Sequence, residues 1–126
     1  MTVSIISNKK LSSAVLHFNA SNTLVVVGNS SQSNVAMADE VLTGAYITQA
    51  FWGCDGNGHI QVLRGANVVA IYDSTGYKDY AGSGMPINAF TAGTLVVNFT
   101  GSANAYLMIE VQKMGAFTSN SDYFKV

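Results

Sequence analysis

Apolar residues recur at every second position through eight short runs of this chain, near residues 3–6, 15–18, 23–27, 45–52, 59–63, 68–72, 95–100 and 106–113. Such alternation puts one face of a β-strand on a core; a helix, whose side chains repeat about every 3.6 residues, cannot use it. In the last run Leu107, Ile109 and Val111 fall on one face, with Tyr106, Met108, Glu110 and Gln112 on the other. Leu95, Val97 and Phe99 form the dry face of the run before it. Clusters of Gly, Asn, Asp and Ser separate the runs at short intervals. The pattern predicts an all-β, single-domain β-sandwich, jelly-roll-like, of about eight strands, and 126 residues bury enough surface to need no disulfide or metal.

Two turns stand out. Asp55-Gly56-Asn57-Gly58 contains both dipeptides that tolerate positive φ, so a hairpin is expected between the runs at 45–52 and 59–63. Arg64-Gly65-Ala66-Asn67 continues the meander into 68–72. The one helical candidate is 35–42, where Ala36, Met37 and Glu40 are adequate helix formers, although so short a segment reads equally as a loop. Residues 73–92, with Gly82-Ser83-Gly84-Met85-Pro86, are the longest irregular candidate, and long loops in compact domains commonly meet partners. The chain then divides into an N-terminal arm or edge strand (1–10), the sandwich (11–117) and a C-terminal tail (118–126). Val3, Ile5 and Ile6 are apolar and precede Lys9-Lys10, which suggests an arm that reaches onto a neighbouring subunit.

Charge is scarce. The six cationic and seven acidic residues leave a net charge of −1, and none of them lies in 11–38 or 80–109, although 48% of the chain is hydrophobic. Ser, Thr, Asn and Gly supply the polarity instead, and such neutral groups bury against another protein at little cost once their hydrogen bonds are met. This is the composition of a subunit. Lys9, Lys10, Arg64, Lys78, Lys113 and Lys125 are spread apart and form no patch that tracks phosphates, which excludes nucleic acid as the main partner. Ser and Asn interrupt the uncharged stretches too often for a membrane-spanning helix. The first residues do not read as a signal peptide, and the lone Cys54 cannot form an internal disulfide, so the expected place of synthesis is a reducing cytoplasm.

No constellation carries catalysis. A twelve-residue calcium loop starting at Asp55 needs a bidentate Glu at its twelfth position, where Ala66 stands. Cys54 and His59 need two more ligands for zinc and find only His17. The same pair lacks the third group that orients a base, no Gly-x-Ser-x-Gly elbow occurs, and Asp73 and Asp79 read as turn and surface residues. The expectation is a non-enzyme without cofactor or metal. Trp52, Tyr72, Tyr77 and Tyr80 suggest the main rival, a sugar-stacking platform of a carbohydrate-binding module or lectin, but Trp52 follows an alternating strand and reads better as core.

The ordered series Gly44-Ala45-Tyr46-Ile47, Trp52, Asp55-Gly56, residues 60–67 (IQVLRGAN), Gly76, Asp79-Tyr80-Ala81-Gly82, residues 95–99 (LVVNF) and residues 106–113 (YLMIEVQK) resembles small virion structural proteins of tailed phages, marine ones in particular, and is similar to their capsid decoration (cement) proteins. The resemblance covers residues 44–113. It implies a virion structural protein on the capsid exterior, assembled in the host cytoplasm, with the major capsid protein as partner and a homo-oligomer, a trimer first, as the working state; a tail or fibre component is the nearer alternative. The residues expected at subunit contacts are Val3, Ile5, Ile6, Tyr77, Tyr80 and Met85.

Overall fold

Two antiparallel sheets pack face to face in the computed structural model, which describes residues 3–80, 85–88, 93–101 and 104–117. In chain order the strands are β1 (Val3–Asn8), β2 (Ser13–Phe18), β3 (Asn22–Val25), β4 (Gly28–Asn29), β5 (Glu40–Cys54), β6 (His59–Arg64), β7 (Asn67–Asp73), β8 (Thr75–Asp79), β9 (Met85–Asn88), β10 (Thr94–Thr100) and β11 (Ala105–Phe117). The larger sheet runs β1-β2-β11-β5, and the far edge of β5 is shared by β4, β9 and β8. The smaller sheet runs β3-β10-β6-β7. The fold is the all-β sandwich expected from the alternation, and each of the eight anticipated runs meets a strand, although β3 ends at Val25, two residues short of the run at 23–27.

The alternating residues face each other across the sandwich. Leu16 and Phe18 from β2, Leu107 and Ile109 from β11, and Ile47 from β5 meet Ile60, Val62, Leu95 and Val97 of the smaller sheet, all of them buried. In β5 the inward-facing set changes phase, from the buried Ala45 and Ile47 to the buried Ala50 and the partly buried Trp52. A bulge makes this possible: Val111 pairs with Ile47 and Glu110 with Gln49, so Thr48 is the extra residue. Its hydroxyl is used, approaching the Glu110 carboxylate at 2.7 Å.

Three expectations are corrected and one open alternative is decided. Asp55-Gly56-Asn57-Gly58 reverses the chain, with Gly56 at φ 60° and the Gly58 N–H donating to the Asp55 carbonyl at 3.2 Å, but it joins β5 in one sheet to β6 in the other. It is an arch between sheets, not a hairpin. The hairpin is the next turn, where Arg64 pairs with Asn67 and Gly65 takes φ 60°. Of the two readings of 35–42, the loop holds up to residue 39: Asp39 sits at φ 70°, Ser33 Oγ accepts from the Val35 and Ala36 N–H groups, and β5 begins at Glu40. Residues 73–92 are less irregular than expected, because β8 and β9 pair with β5 there; with β4 they raise the strand number from about eight to eleven. The C-terminal tail expected at 118–126 lies outside the described residues.

The remaining case is the N-terminal segment. Val3–Asn8 pairs along β2 as an edge strand of its own sheet, with a register shift between Ile5 and Ser7. Its last residue is tied into the interior: Asn8 Oδ1 accepts from Lys113 Nζ at 2.6 Å, and Asn8 Nδ2 donates to the Val35 carbonyl at 3.0 Å. Lys113 Nζ also reaches Glu40 Oε1 at 2.9 Å, and both charged side chains are fully buried. The Leu11 and Met37 N–H groups donate to the same carboxylate. Every polar group of this ionic cluster therefore has a partner, which is the condition for burying charge without a large penalty. Leu11 at φ 45° and Asp39 at φ 70° flank it, so the cluster stands where two non-glycine residues adopt left-handed conformations.

Candidate functional site

The outer face of the larger sheet carries a row set by strand register: Tyr77 on β8, Phe51 on β5, Met108 on β11, His17 on β2 and Ser4 on β1 lie opposite one another in turn. Phe51 is 42% exposed and Tyr77 50%, yet their rings already pack together, with centroids 4.6 Å apart at 40°. Tyr106, 41% exposed, lies over β5 because Gly53 has no side chain; a Cβ there would stand 2.6 Å from Tyr106 Cε1. His17 flanks it at 6.5 Å between centroids. Large rings with few rotatable bonds, held by neighbours yet left exposed, lose little conformational freedom when a partner covers them.

The other aromatics turn inward. Trp52 stacks on Tyr72 with centroids 4.3 Å apart at 25°, and its Nε1 donates to the Asp73 carbonyl at 2.9 Å. Gly76 lies against the indole, where a Cβ would be 2.8 Å from Cε2. The Tyr72 and Tyr80 hydroxyls are 2.8 Å apart, and burial first, then that hydrogen bond, raises the Tyr72 hydroxyl far above its ordinary titration range. The four residues of the sugar platform are thus divided: Trp52, Tyr72 and Tyr80 brace the core, and Tyr77 alone joins the outer face.

The expected contact residues are divided as well. Tyr77 belongs to the aromatic row, while Ile5 and Ile6 are exposed on β1, across the sheet at its opposite edge. Val3 pairs with Phe18 and Met85 with Ile47 in the backbone ladder; their side chains lie outside the described residues. Phe51 was not among the expected contacts. The signal for it was the phase of alternation in 45–52, which the Thr48 bulge inverts.

Comparison with protein-family models, curated proteins and solved structures returns no match. Among the described residues no group of three His, Cys, Asp or Glu side chains is placed to hold a metal ion, and no helix is long and apolar enough to cross a membrane. Asp73 pairs with His59 in the β6–β7 ladder, but among the described residues no hydrogen bond links Cys54, His59 and Asp73 side chains. Burial, then the charges of Asp55 and Asp73, push the Cys54 thiol up, the opposite of what activates a nucleophile. Beside Tyr106 an open bowl of about 540 Å³ is lined by Asn19, Cys54, Asp55, Asn104 and Ala105. The Asn104 N–H and side-chain amide donate to the two Asp55 carboxylate oxygens at 3.3 and 3.2 Å, fixing its rim.

Proposed function

We propose that the chain is a non-enzymatic virion structural protein, a decoration protein on the capsid exterior that clamps adjacent major capsid subunits and works as a homo-oligomer. The observation that carries this reading is the row Tyr77-Phe51-Met108 with Tyr106, a pre-packed aromatic surface on a rigid sheet of a chain otherwise dressed in neutral polar groups. Exposed aromatic anchors of this kind are what protein interfaces concentrate their binding energy in. The resemblance of residues 44–113 to phage decoration proteins points the same way. The test is binding to assembled heads of the phage that encodes the chain. Phe51→Ser combined with Tyr77→Ser is expected to cost about 2 kcal/mol or more, about thirty-fold in Kd, with cooperative unfolding retained. Unchanged affinity for heads, or affinity for tails alone, would remove the capsid reading in favour of a tail or fibre role.

Sugar binding is the second reading, and the bowl beside Tyr106 favours it over the dismantled Trp52 platform. An aromatic wall next to a fixed carboxylate and amides suits a neutral saccharide. Binding of the isolated chain on a glycan array, lost in Tyr106→Ala, would support it.

A further inference from the structure

We infer that Lys113 and Asn8 are the two halves of an intramolecular isopeptide bond: with Glu40 as base, the Lys113 amine displaces ammonia from the Asn8 carboxamide and ties β1 covalently to β11. The bond is a property of the chain itself and stands independently of attachment to a capsid.

Such a reaction needs an amine, a carbonyl carbon bearing a leaving group, a base to take the proton of the ammonium, and a site that shuts out water. All four meet at one end of the larger sheet. Lys113 Nζ lies 2.6 Å from Asn8 Oδ1 and 2.9 Å from Glu40 Oε1, and the Lys113 and Glu40 side chains are fully buried. The carbon to be attacked, Asn8 Cγ, is the atom bonded to that oxygen. Because β2 lies between β1 and β11, strand pairing alone does not bring the two residues together. The β1–β2 turn does so: the Lys9 N–H donates to the Ser13 carbonyl at 3.0 Å, and the Lys113 N–H to the Ser12 carbonyl at 2.8 Å. The carboxamide is held as well, since Asn8 Nδ2 donates to the Val35 carbonyl at 3.0 Å. Val35, Leu42 two positions after Glu40, and Ala45 opposite Lys113 are all buried and keep the surroundings apolar.

The Leu11 and Met37 N–H groups hold Glu40 as the carboxylate, the form that can accept a proton. Burial disfavours the charged pair, and transfer of one proton from Lys113 Nζ to Glu40 leaves a neutral amine beside a neutral acid. The amine adds to Asn8 Cγ and forms the Nζ–Cγ bond. A second proton passes from Nζ to Nδ2, the Cγ–Nδ2 bond breaks, and ammonia departs with the proton that Glu40 held, as ammonium. A primary ammonium and a carboxamide thus become a secondary amide and an ammonium ion, no co-reactant is consumed, and Glu40 returns to the carboxylate. The ion pair is the state in which the chain folds, and its own contribution to stability is read on chain that has not reacted. The bond closes residues 8 to 113 and restrains the unfolded chain as a disulfide would, in a protein whose single cysteine cannot form one internally.

Mass spectrometry of the folded full chain tests the inference. The intact mass is expected to fall about 17 Da, one ammonia, below that of the sequence. Trypsin should then release a peptide ending at Lys9 or Lys10 joined to residues 79–125, uncut after Lys113. Asn8→Ala and Lys113→Arg should keep their full mass, and Glu40→Gln should form the bond about a hundred-fold more slowly or worse, with its strand signal in circular dichroism retained. Where a variant fails to fold, the joined peptide from the unaltered chain decides. A folded unaltered chain that keeps its full mass through prolonged incubation would overturn the inference. So would an ammonia loss confined to one peptide, as a succinimide at Asn57-Gly58 would give, a bond from Lys113 to Glu40 in place of Asn8, or bond formation indifferent to Glu40→Gln.

Discussion

Lys113→Met should destabilise the protein by about 3–5 kcal/mol, the cost of leaving one member of a buried ion pair without the other. Glu40 would keep the Leu11 and Met37 N–H donors but lose the ammonium at 2.9 Å, and Asn8 Oδ1 would lose its donor at 2.6 Å. Unfolding in denaturant, followed by the fluorescence of Trp52, measures the loss. Adding Glu40→Gln should recover part of it, because it removes the bare charge from the interior, although one of the Leu11 and Met37 N–H groups then faces the amide NH2 instead of an acceptor. A neutral Lys113→Met would show that the pair is solvated and not part of the interior. Acid provides the same test without substitution. Burial by itself would raise the Glu40 carboxyl, but the hydrogen bonds from Leu11, Lys113 and Met37 and the Lys113 charge outweigh it and hold the group below its ordinary 4.5. A carboxyl lowered in the folded state stabilises the fold above its unfolded value. Stability from this group should therefore be complete above pH 4.5 and decline as pH falls through the lower folded value.

Gly115→Ala is the second large effect expected. A Cβ at this position runs into the Val41 carbonyl oxygen and would stand 2.8 Å from Leu42 Cα, so backbone, rather than a movable side chain, stands in the way. The end of β11, where Ala116 pairs with Val41 and Phe117 with Glu40, must separate from β5. A cost at the top of the usual overpacking range, about 3 kcal/mol, follows, with amide exchange at residues 115–117 speeding most. Gly53→Ala is the control. Its obstacle is the exposed Tyr106 ring, which can rotate away, so the loss there should stay below about 1 kcal/mol.

How far residues announced this structure depends on the range of the interaction involved. Leu107, Ile109 and Val111 declared both strand and inner face, because period-two burial is a local property. The turn at Asp55–Gly58 declared a chain reversal but not the sheet that receives the next strand; that choice is made by β10, which pairs with β6 some forty residues later. Residues 75–79 gave little strand signal, since Gly76, Lys78 and Asp79 are poor strand formers, and β8 exists because the open edge of β5 and the Trp52 ring accept it. The ionic cluster was hidden for the same reason. Glu40 read as a helix former and Lys113 as a surface cation, and only the fold brings them together. Of the outer aromatic row, Tyr77, Tyr106 and Met108 were legible as exposed or outward positions, whereas Phe51 was masked by the phase inversion at Thr48.

The reading of residues 1–8 changes most in consequence. An arm free to leave its domain could be removed without harm, but Asn8 completes the hydrogen bonding of a buried ammonium, so β1 is part of the fold's interior logic as well as its edge. Ile5 and Ile6 remain exposed on that edge.

The central claim, a structural role on the capsid exterior, is tested most directly by locating the chain in intact particles by cryo-electron microscopy. The expected result is sandwich density on the outside of the head at joints between major capsid subunits, with the Phe51 and Tyr77 face turned toward the shell. Density confined to the tail, or a mature particle that lacks the chain altogether, would contradict it.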